Sequence, residues 1–498
     1  MRSYSPSLNR LIPMLFDRQA GPGRVLGAMM TVASLTLVVK VISAVKEIQV
    51  ARSLGVGDSL DAFYIAFLLP GIIVNIIGAS LNTALIPTYI RVRDQEGPGP
   101  AYRLYSSMMI CSLGLLLGFA CLLCLSLPLF GHFFGSTFGP AKMALTRSLF
   151  LILVPVIVLT GISTTWGAVL NATDRFALVA VTPMITPLAI VATLAGFGHS
   201  GGVYTLAWAT LSGALIEAAV LGIALRRLRV PLGFRWYGFG ADLMQVLCQY
   251  APVAAGALIF SGTSFVDQTL AARLGSGAVA SLAYGYKIVA FIIGIGVTAV
   301  GSSVLPHFSR LVAAGDWVAL RSSVRVSTIV ILCATVPIAC LIWADSASFV
   351  RLVFQHGAFT AADTRIVGRV QAAFALGIPA YTLASLYMRL ISALRLNQRI
   401  FVIASGNVAL NFVLDVVFAR FLGVAGIALS TSLVSLSSCV AFYFALRGPL
   451  ARAESVSIPD TLGSDLAMSA LPAQEAEVFG LGEPAAPQDY IAVERRAS

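Results

Sequence analysis

The sequence is short of charge. Asp, Glu, Lys and Arg make up 11% of its 498 residues, against about 25% in soluble domains. It has four histidines, and no His, Cys, Asp or Glu grouping shows metal-ligand spacing. It contains neither a glycine-rich phosphate loop closed by Lys-Ser or Lys-Thr nor a nucleophile elbow. These absences argue against ATP hydrolysis and leave no convergent catalytic set. The expectation is a protein that is not an enzyme, carries no cofactor or metal, and draws its work from an ion gradient or the membrane potential. Seven cysteines include Cys121 and Cys124 in a CLLC run without histidine or acid nearby. They read as packing residues rather than a metal or redox site.

What the chain has instead is apolar surface. Hydrophobic residues make up 58% and the mean hydropathy is +0.89. Apolar runs repeatedly reach the roughly 20 residues that cross a bilayer as a helix. Twelve spans are predicted: 25–47, 61–90, 105–130, 146–171, 177–198, 203–225, 243–272, 278–306, 325–345, 366–394, 400–419 and 424–446. Residues 1–24 are polar and basic, and the run after them is too long for a cleavable signal. Pro70, Pro155, Pro183, Pro187, Pro252, Pro337 and Pro379 fall inside these spans and predict kinks.

The net charge of +11 would point to nucleic acid in a soluble protein. Here the basic residues lie mainly between spans, so topology accounts for them and no nucleic acid is expected. One set of connections carries Arg91, Arg93, Arg103, Arg175, Arg226, Arg227, Arg229, Arg235, Arg310, Arg321, Arg395 and Arg399. The other carries only Arg52, Lys142, Arg273, Arg351, Arg365 and Arg420. The positive-inside rule makes the richer set cytoplasmic, with both termini inside.

The chain also repeats itself. Glu47-Ile-Gln-Val-Ala-Arg-Ser-Leu-Gly55 is similar to Asp267-Gln-Thr-Leu-Ala-Ala-Arg-Leu-Gly275, and Leu85-Ile-Pro-Thr-Tyr-Ile-Arg91 to Val304-Leu-Pro-His-Phe-Ser-Arg310. The offset corresponds to six spans, so the copies cross in the same direction. Parallel repeats suit two lobes rocking about a midplane site. The expected fold is therefore all-α and integral to the membrane, with about twelve helices in two six-helix lobes. The expected boundaries are 1–24 (cytoplasmic segment), 25–225 (first lobe), 226–242 (basic linker), 243–447 (second lobe) and 448–498 (disordered cytoplasmic tail).

Charges inside the spans carry the functional reading. Lys40, Lys46 and Glu47 lie in or beside the first span and Lys287 in the eighth. Ionisable groups at that depth cost roughly 2.5–3.5 kcal/mol each on insertion scales and mark wet interiors or partners. Lys40, Lys46 and Lys287 are read as binding a phosphate or diphosphate in a cavity between the lobes. Glu47, Asp61 and Asp267 are read as charge partners or gating groups, with Glu47 or Asp61 neutralising Lys46 in the absence of substrate. The alternative is that each lysine snorkels or pairs only to hold helices together. Asn75, Asn82, Asn407 and Asn411 either line the cavity or hydrogen-bond between helices. Asp415 falls toward the end of its span, and Arg389 reads as a snorkelling residue.

Three stretches carry a family resemblance. They are Lys46-Glu47 through Ala51-Arg52-Ser-Leu-Gly55 and Leu60-Asp61-Ala-Phe-Tyr-Ile-Ala-Phe67-Leu-Leu-Pro70 to Ala84-Leu-Ile-Pro87; Ala283-Tyr-Gly-Tyr-Lys287; and Val353-Phe-Gln-His-Gly357-Ala-Phe-Thr360. In this order they resemble the MurJ/MviN lipid II flippases of the multidrug/oligosaccharidyl-lipid/polysaccharide exporter superfamily. The resemblance implies alternating-access movement of a polyprenyl-diphosphate-linked saccharide across the bacterial cytoplasmic membrane, for peptidoglycan or polysaccharide biosynthesis. Membrane lipids are the other implied partners. It matches Lys40, Lys46 and Lys287 to arginines of the family's cavity, and Asp61 to its acidic residue at the start of span two. The chain departs from the pattern in its lysines, in Val74-Asn75 where the family has a basic pair, and in ending its membrane part after twelve spans rather than fourteen. These departures leave open a lipid-linked saccharide other than lipid II. A multidrug or cation antiporter of the same superfamily, or a non-transporting membrane scaffold, remain the rival readings.

Overall fold

The computed structural model describes residues 21–129, 139–173, 175–228, 230–231 and 235–457, without the side chains of 21–33, 78–79, 81–83, 129, 197–200, 299–303, 305–306 and 449–457. The expected N-terminal segment before Gly21 and the tail after Ser457 lie outside the described residues. All regular structure within them is helical, because a lipid-exposed backbone must satisfy its own hydrogen bonds. In the first half these are α1 (Gly21–Leu54), α2 (Asp58–Glu96), α3 (Pro98–Leu125), α4 (Pro140–Ala172), the short α5 (Phe176–Val181) and α6 (Ile185–Arg227). In the second half they are α7 (Ala241–Ala272), α8 (Ala278–Ala314), α9 (Trp317–Ala344), α10 (Ser346–Phe354), α11 (Ala361–Ala375), α12 (Ile378–Ala393), α13 (Asn397–Leu422) and α14 (Val424–Ser457).

Among the described residues, eleven helices are long and apolar enough to cross a membrane, by length and composition alone. The first helix, α1, supplies the twelfth crossing and carries Lys40, Lys46 and Glu47. Three details differ from the sequence reading. The tenth crossing is two helices, broken at Leu376 and Gly377, with Pro379 in the first turn of α12. As expected between residues 198 and 203, Gly202 breaks the helical geometry of α6 (φ 52°, ψ −140°), separating crossings five and six. The connection after α9 holds an extra helix, α10, and α14 continues past the expected end at 447. Pro183 sits in a 3-10 turn, Thr182–Met184, that opens the fifth crossing.

The repeat is visible in the backbone. Gly55 and Gly275, which close the matched motifs, have φ of 61° and 122°. Only glycine takes these values freely, so each copy turns sharply into the following helix.

The face bearing the linker between α6 and α7 is called the near face here, and its opposite the far face. Toward the far face a single apolar core joins both halves, from Val50, Leu60 and Ile65 through Ile157 to Tyr284, Phe354 and Phe359. Toward the near face the core divides. One part gathers Leu85, Tyr105, Val169 and Leu225, together with Leu243 and Val246 of α7. The other gathers Phe308, Leu320, Leu386 and Phe442. The halves are thus fused toward the far face, whereas toward the near face the core splits in two, with α7 packed against the first half.

Candidate functional site

The intramembrane lysines meet between the halves. Glu47 Oε1 accepts from Lys46 Nζ at 2.6 Å and from Lys287 Nζ at 2.9 Å. The residues belong to α1 and α8, so one carboxylate oxygen ties the two halves together. Lys287 Nζ also lies 5.9 Å from the centre of the Tyr64 ring, where the electron-rich face favours a cation. Lys40 stands apart. A methyl group on Gly294 would lie 3.0 Å from Lys40 Nζ, so the ammonium rests against α8 where the glycine leaves room. Gly294 is about 10 Å along that helix from Lys287. Lys40 forms no ion pair among the described residues. Two ammonium groups share one carboxylate and Lys40 adds a third cation without one, leaving two positive charges in excess.

Asp61 does not neutralise Lys46, as the sequence reading allowed. It is fully buried and accepts from Lys142 Nζ at 2.8 Å, and from the backbone N–H groups of Gly277 at 2.7 Å and Ala280 at 2.8 Å. The last two are free donors at the start of α8. A side chain of the first half therefore caps a helix of the second and closes the far face. Lys142 also holds Asp58 at 2.7 Å, and Ala358 N–H donates to the Arg52 carbonyl at 2.8 Å beside this latch. Lys142 was read only as a connection charge. Its position at the start of α4, opposite Asp58 and Asp61 at the start of α2, is a tertiary fact. At the other end of α2, Arg91 Nη2 pairs with Asp242 of α7 at 2.5 Å and reaches Gln245 at 2.9 Å.

Asp267 is also far from the role expected of it. It occupies the repeat position of Glu47 but forms no ion pair among the described residues. Asn411 Nδ2 donates to Asp267 Oδ1 at 2.6 Å and to Asp415 Oδ2 at 2.8 Å, and Thr431 donates to Asp267 at 3.2 Å. Ser430 donates to Asp415. Asn411 and Asp415 are fully buried, and Asn411 Oδ1 has no partner. Two carboxylates and two hydroxyls, bridged by the Asn411 NH2 group, form an oxygen set suited to a shared proton or a small cation. Asp415 and Thr431 were missed as site residues because their companion, Asp267, lies more than half a lobe away in sequence.

Asn407 donates to Ser438 at 2.7 Å. With Asn411, Thr431, Tyr381 and Phe260 it lines a cleft of about 170 Å³ in the second half. Asn75 is exposed on α2, and the side chain of Asn82 lies outside the described residues. Asp363 completes a capping box with Thr360 at the start of α11, a structural role.

The family model for the lipid II flippase MurJ matches residues 50–476. A probable lipid II flippase MurJ of Rhizobium meliloti (strain 1021) is 26% identical over 407 residues, covering 80% of this chain and 76% of its own length. The lipid II flippase MurJ of Burkholderia cenocepacia is 24% identical over 438 residues, covering 84% and 83%. Among solved structures, a lipid II flippase MurJ in an inward closed conformation superposes with a TM-score of 0.73 at 20% identity, covering 86% of this chain and 90% of that one. An inward-facing multidrug resistance transporter of the MATE family, in the MOP superfamily, gives 0.69 at 11% identity, covering 86% and 99%. The structures establish the shared architecture, and the family model spans most of the chain: this multi-pass membrane protein belongs to the MurJ lipid II flippase family.

Proposed function

We propose that the protein moves a polyprenyl-diphosphate-linked saccharide, lipid II or a related envelope precursor, from the inner to the outer leaflet of the cytoplasmic membrane. The carrying observation is the net excess of two positive charges where α1 meets α8. A diphosphate bridging a lipid and a sugar carries two negative charges, so the headgroup neutralises the cluster. Fixed donors without a full set of acceptors are stronger there than in water. The arginine-rich near face is taken as cytoplasmic. The core that divides toward it then gives the headgroup its way in, and the Asp61 latch closes the opposite face until the lobes rock.

Deep lysines disfavour the antiporter reading, since organic cations select acidic cavities. The likeness to a MATE transporter concerns architecture. Complementation of cells depleted of their lipid II flippase, with leaflet-resolved labelling of lipid II, tests the reading. Growth with lipid II in the outer leaflet is expected. Failure with the protein verified in the membrane turns the assignment to another lipid-linked saccharide, consistent with Val74-Asn75 in place of the family's basic pair.

Energy enters this reading at the Asp267–Asp415 pair, which takes a proton or small cation from the gradient. Asp267→Asn and Asp415→Asn are each expected to slow transport about tenfold or more and to abolish its response to an imposed ion gradient in proteoliposomes. An unaltered response in both variants would place the coupling elsewhere.

A further inference from the structure

Arg389 is a cation that the lysine cluster does not account for. It lies on α12, half-buried, with Nη2 3.5 Å from the Val297 carbonyl of α8, at the limit of a hydrogen bond. Its Nε is buried and has no acceptor. It forms no ion pair among the described residues. A guanidinium keeps its charge in any protein environment, and one left without an acid inside a membrane helix is costly. Reading it as a clip between α12 and α8 leaves most of its donors idle.

Its place along α8 is informative. Lys287 lies nearest the far face. Gly294, against which Lys40 rests, is seven residues on, and Val297 three more. At 1.5 Å per residue these levels are spaced by about 10 and about 4.5 Å. Four cations therefore line a course of about 15 Å beside one helix, and the Arg389 end faces the side where the core divides.

We propose that Arg389 is the first station for the anionic headgroup, which then passes to Lys40 and on to Lys46 and Lys287. The inference rests on the lysine cluster being a diphosphate site. The chemistry differs along the course. The planar fork of Arg389 takes two phosphate oxygens at once and orients the diphosphate, whereas the lysines act as point charges that hold and release it. Arg389 governs arrival; the lysines govern residence.

Stopped-flow mixing of a fluorescent isoprenyl diphosphate with the full-length protein in nanodiscs gives the association rate, and its displacement by excess geranyl diphosphate the dissociation rate; together they test this. Arg389→Gln is expected to lower the association rate about tenfold, with the dissociation rate little changed and a shallower salt dependence. Arg389→Lys should fall between it and the unaltered protein. Lys40→Met should act mainly on dissociation. An Arg389→Gln protein that associates at the unaltered rate overturns the proposal. So does an Arg389→Lys protein that matches Arg389→Gln in stability loss while associating normally, since that is what a clip between helices predicts. If the unaltered protein binds no isoprenyl diphosphate, or the Lys40→Met/Lys287→Met double variant binds it as well as the unaltered protein does, the cluster reading fails and Arg389 falls with it.

Discussion

Lys40→Met is expected to abolish transport while leaving the amount of folded protein unchanged. Lys40 pairs with no carboxylate among the described residues and rests against Gly294, so its removal strands no buried charge. What is lost is a cation for the headgroup. A charged hydrogen bond is worth about 1.5–3 kcal/mol, or roughly ten- to a hundredfold in the binding constant. Lys40→Arg should keep most activity. Lys287→Met should behave differently, because Lys287 also holds Glu47 at 2.9 Å. Its loss leaves the carboxylate to Lys46 alone, and the remaining excess falls from two charges to one. Adding Glu47→Gln restores the excess to two, and transport should partly return. The check is leaflet-resolved substrate in proteoliposomes at matched protein. Normal transport by a Lys40→Met/Lys287→Met double variant would remove the cluster as the headgroup site and revive the scaffold reading.

Asp61→Asn is expected to open the far face. The carboxylate accepts one ammonium and two backbone N–H groups, and an amide offers one acceptor oxygen and no charge. Breaking a buried pair on one side costs about 3–5 kcal/mol. Here much of that cost is relieved by separating the halves, because water then reaches the Gly277 and Ala280 N–H groups and Lys142 keeps Asp58. A shift of even 3 kcal/mol moves a two-state equilibrium by about a hundredfold. Ala280, fully buried beneath the latch, is a reporter. In a cysteine-free background, Ala280→Cys should be inert to a membrane-impermeant thiol reagent and should react at least about tenfold faster once Asp61→Asn is added. Transport should fall as well, since a far face that stays open cannot reload from the near side. Equal labelling with and without the substitution would mean that the apolar core around Ile65, Tyr284 and Phe359 holds the far face shut without Asp61.

The helical framework was legible because hydropathy acts locally. Each run of apolar residues must become a helix if it is to cross lipid, and α1 to α4 fall where the runs fall. The breaks were less legible. Pro379 predicted a kink, but the division of the tenth crossing into α11 and α12 also needs Gly377, packed against Ser432 of α14. The amphipathic α10 was too short to stand out. Among the site residues, Lys40, Lys46, Glu47 and Lys287 announced themselves, since a charge in a greasy run is conspicuous in one dimension. Their partners did not. Lys142, Asp415 and Thr431 lie near span ends, where a polar residue is ordinary, and only contact reveals them.

The sequence by itself therefore determined the membrane class, the approximate number of crossings and the presence of cations within apolar segments. These follow from transfer free energies and periodicity, which each segment carries alone. The tertiary structure decided which charges meet: Glu47 with Lys287, Asp61 with Lys142 and the start of α8, Asp267 with Asp415. Coulomb and hydrogen-bond energies depend on distances of about 3 Å, and residues as far apart as Asp61 and Gly277 come that close only when the helices pack.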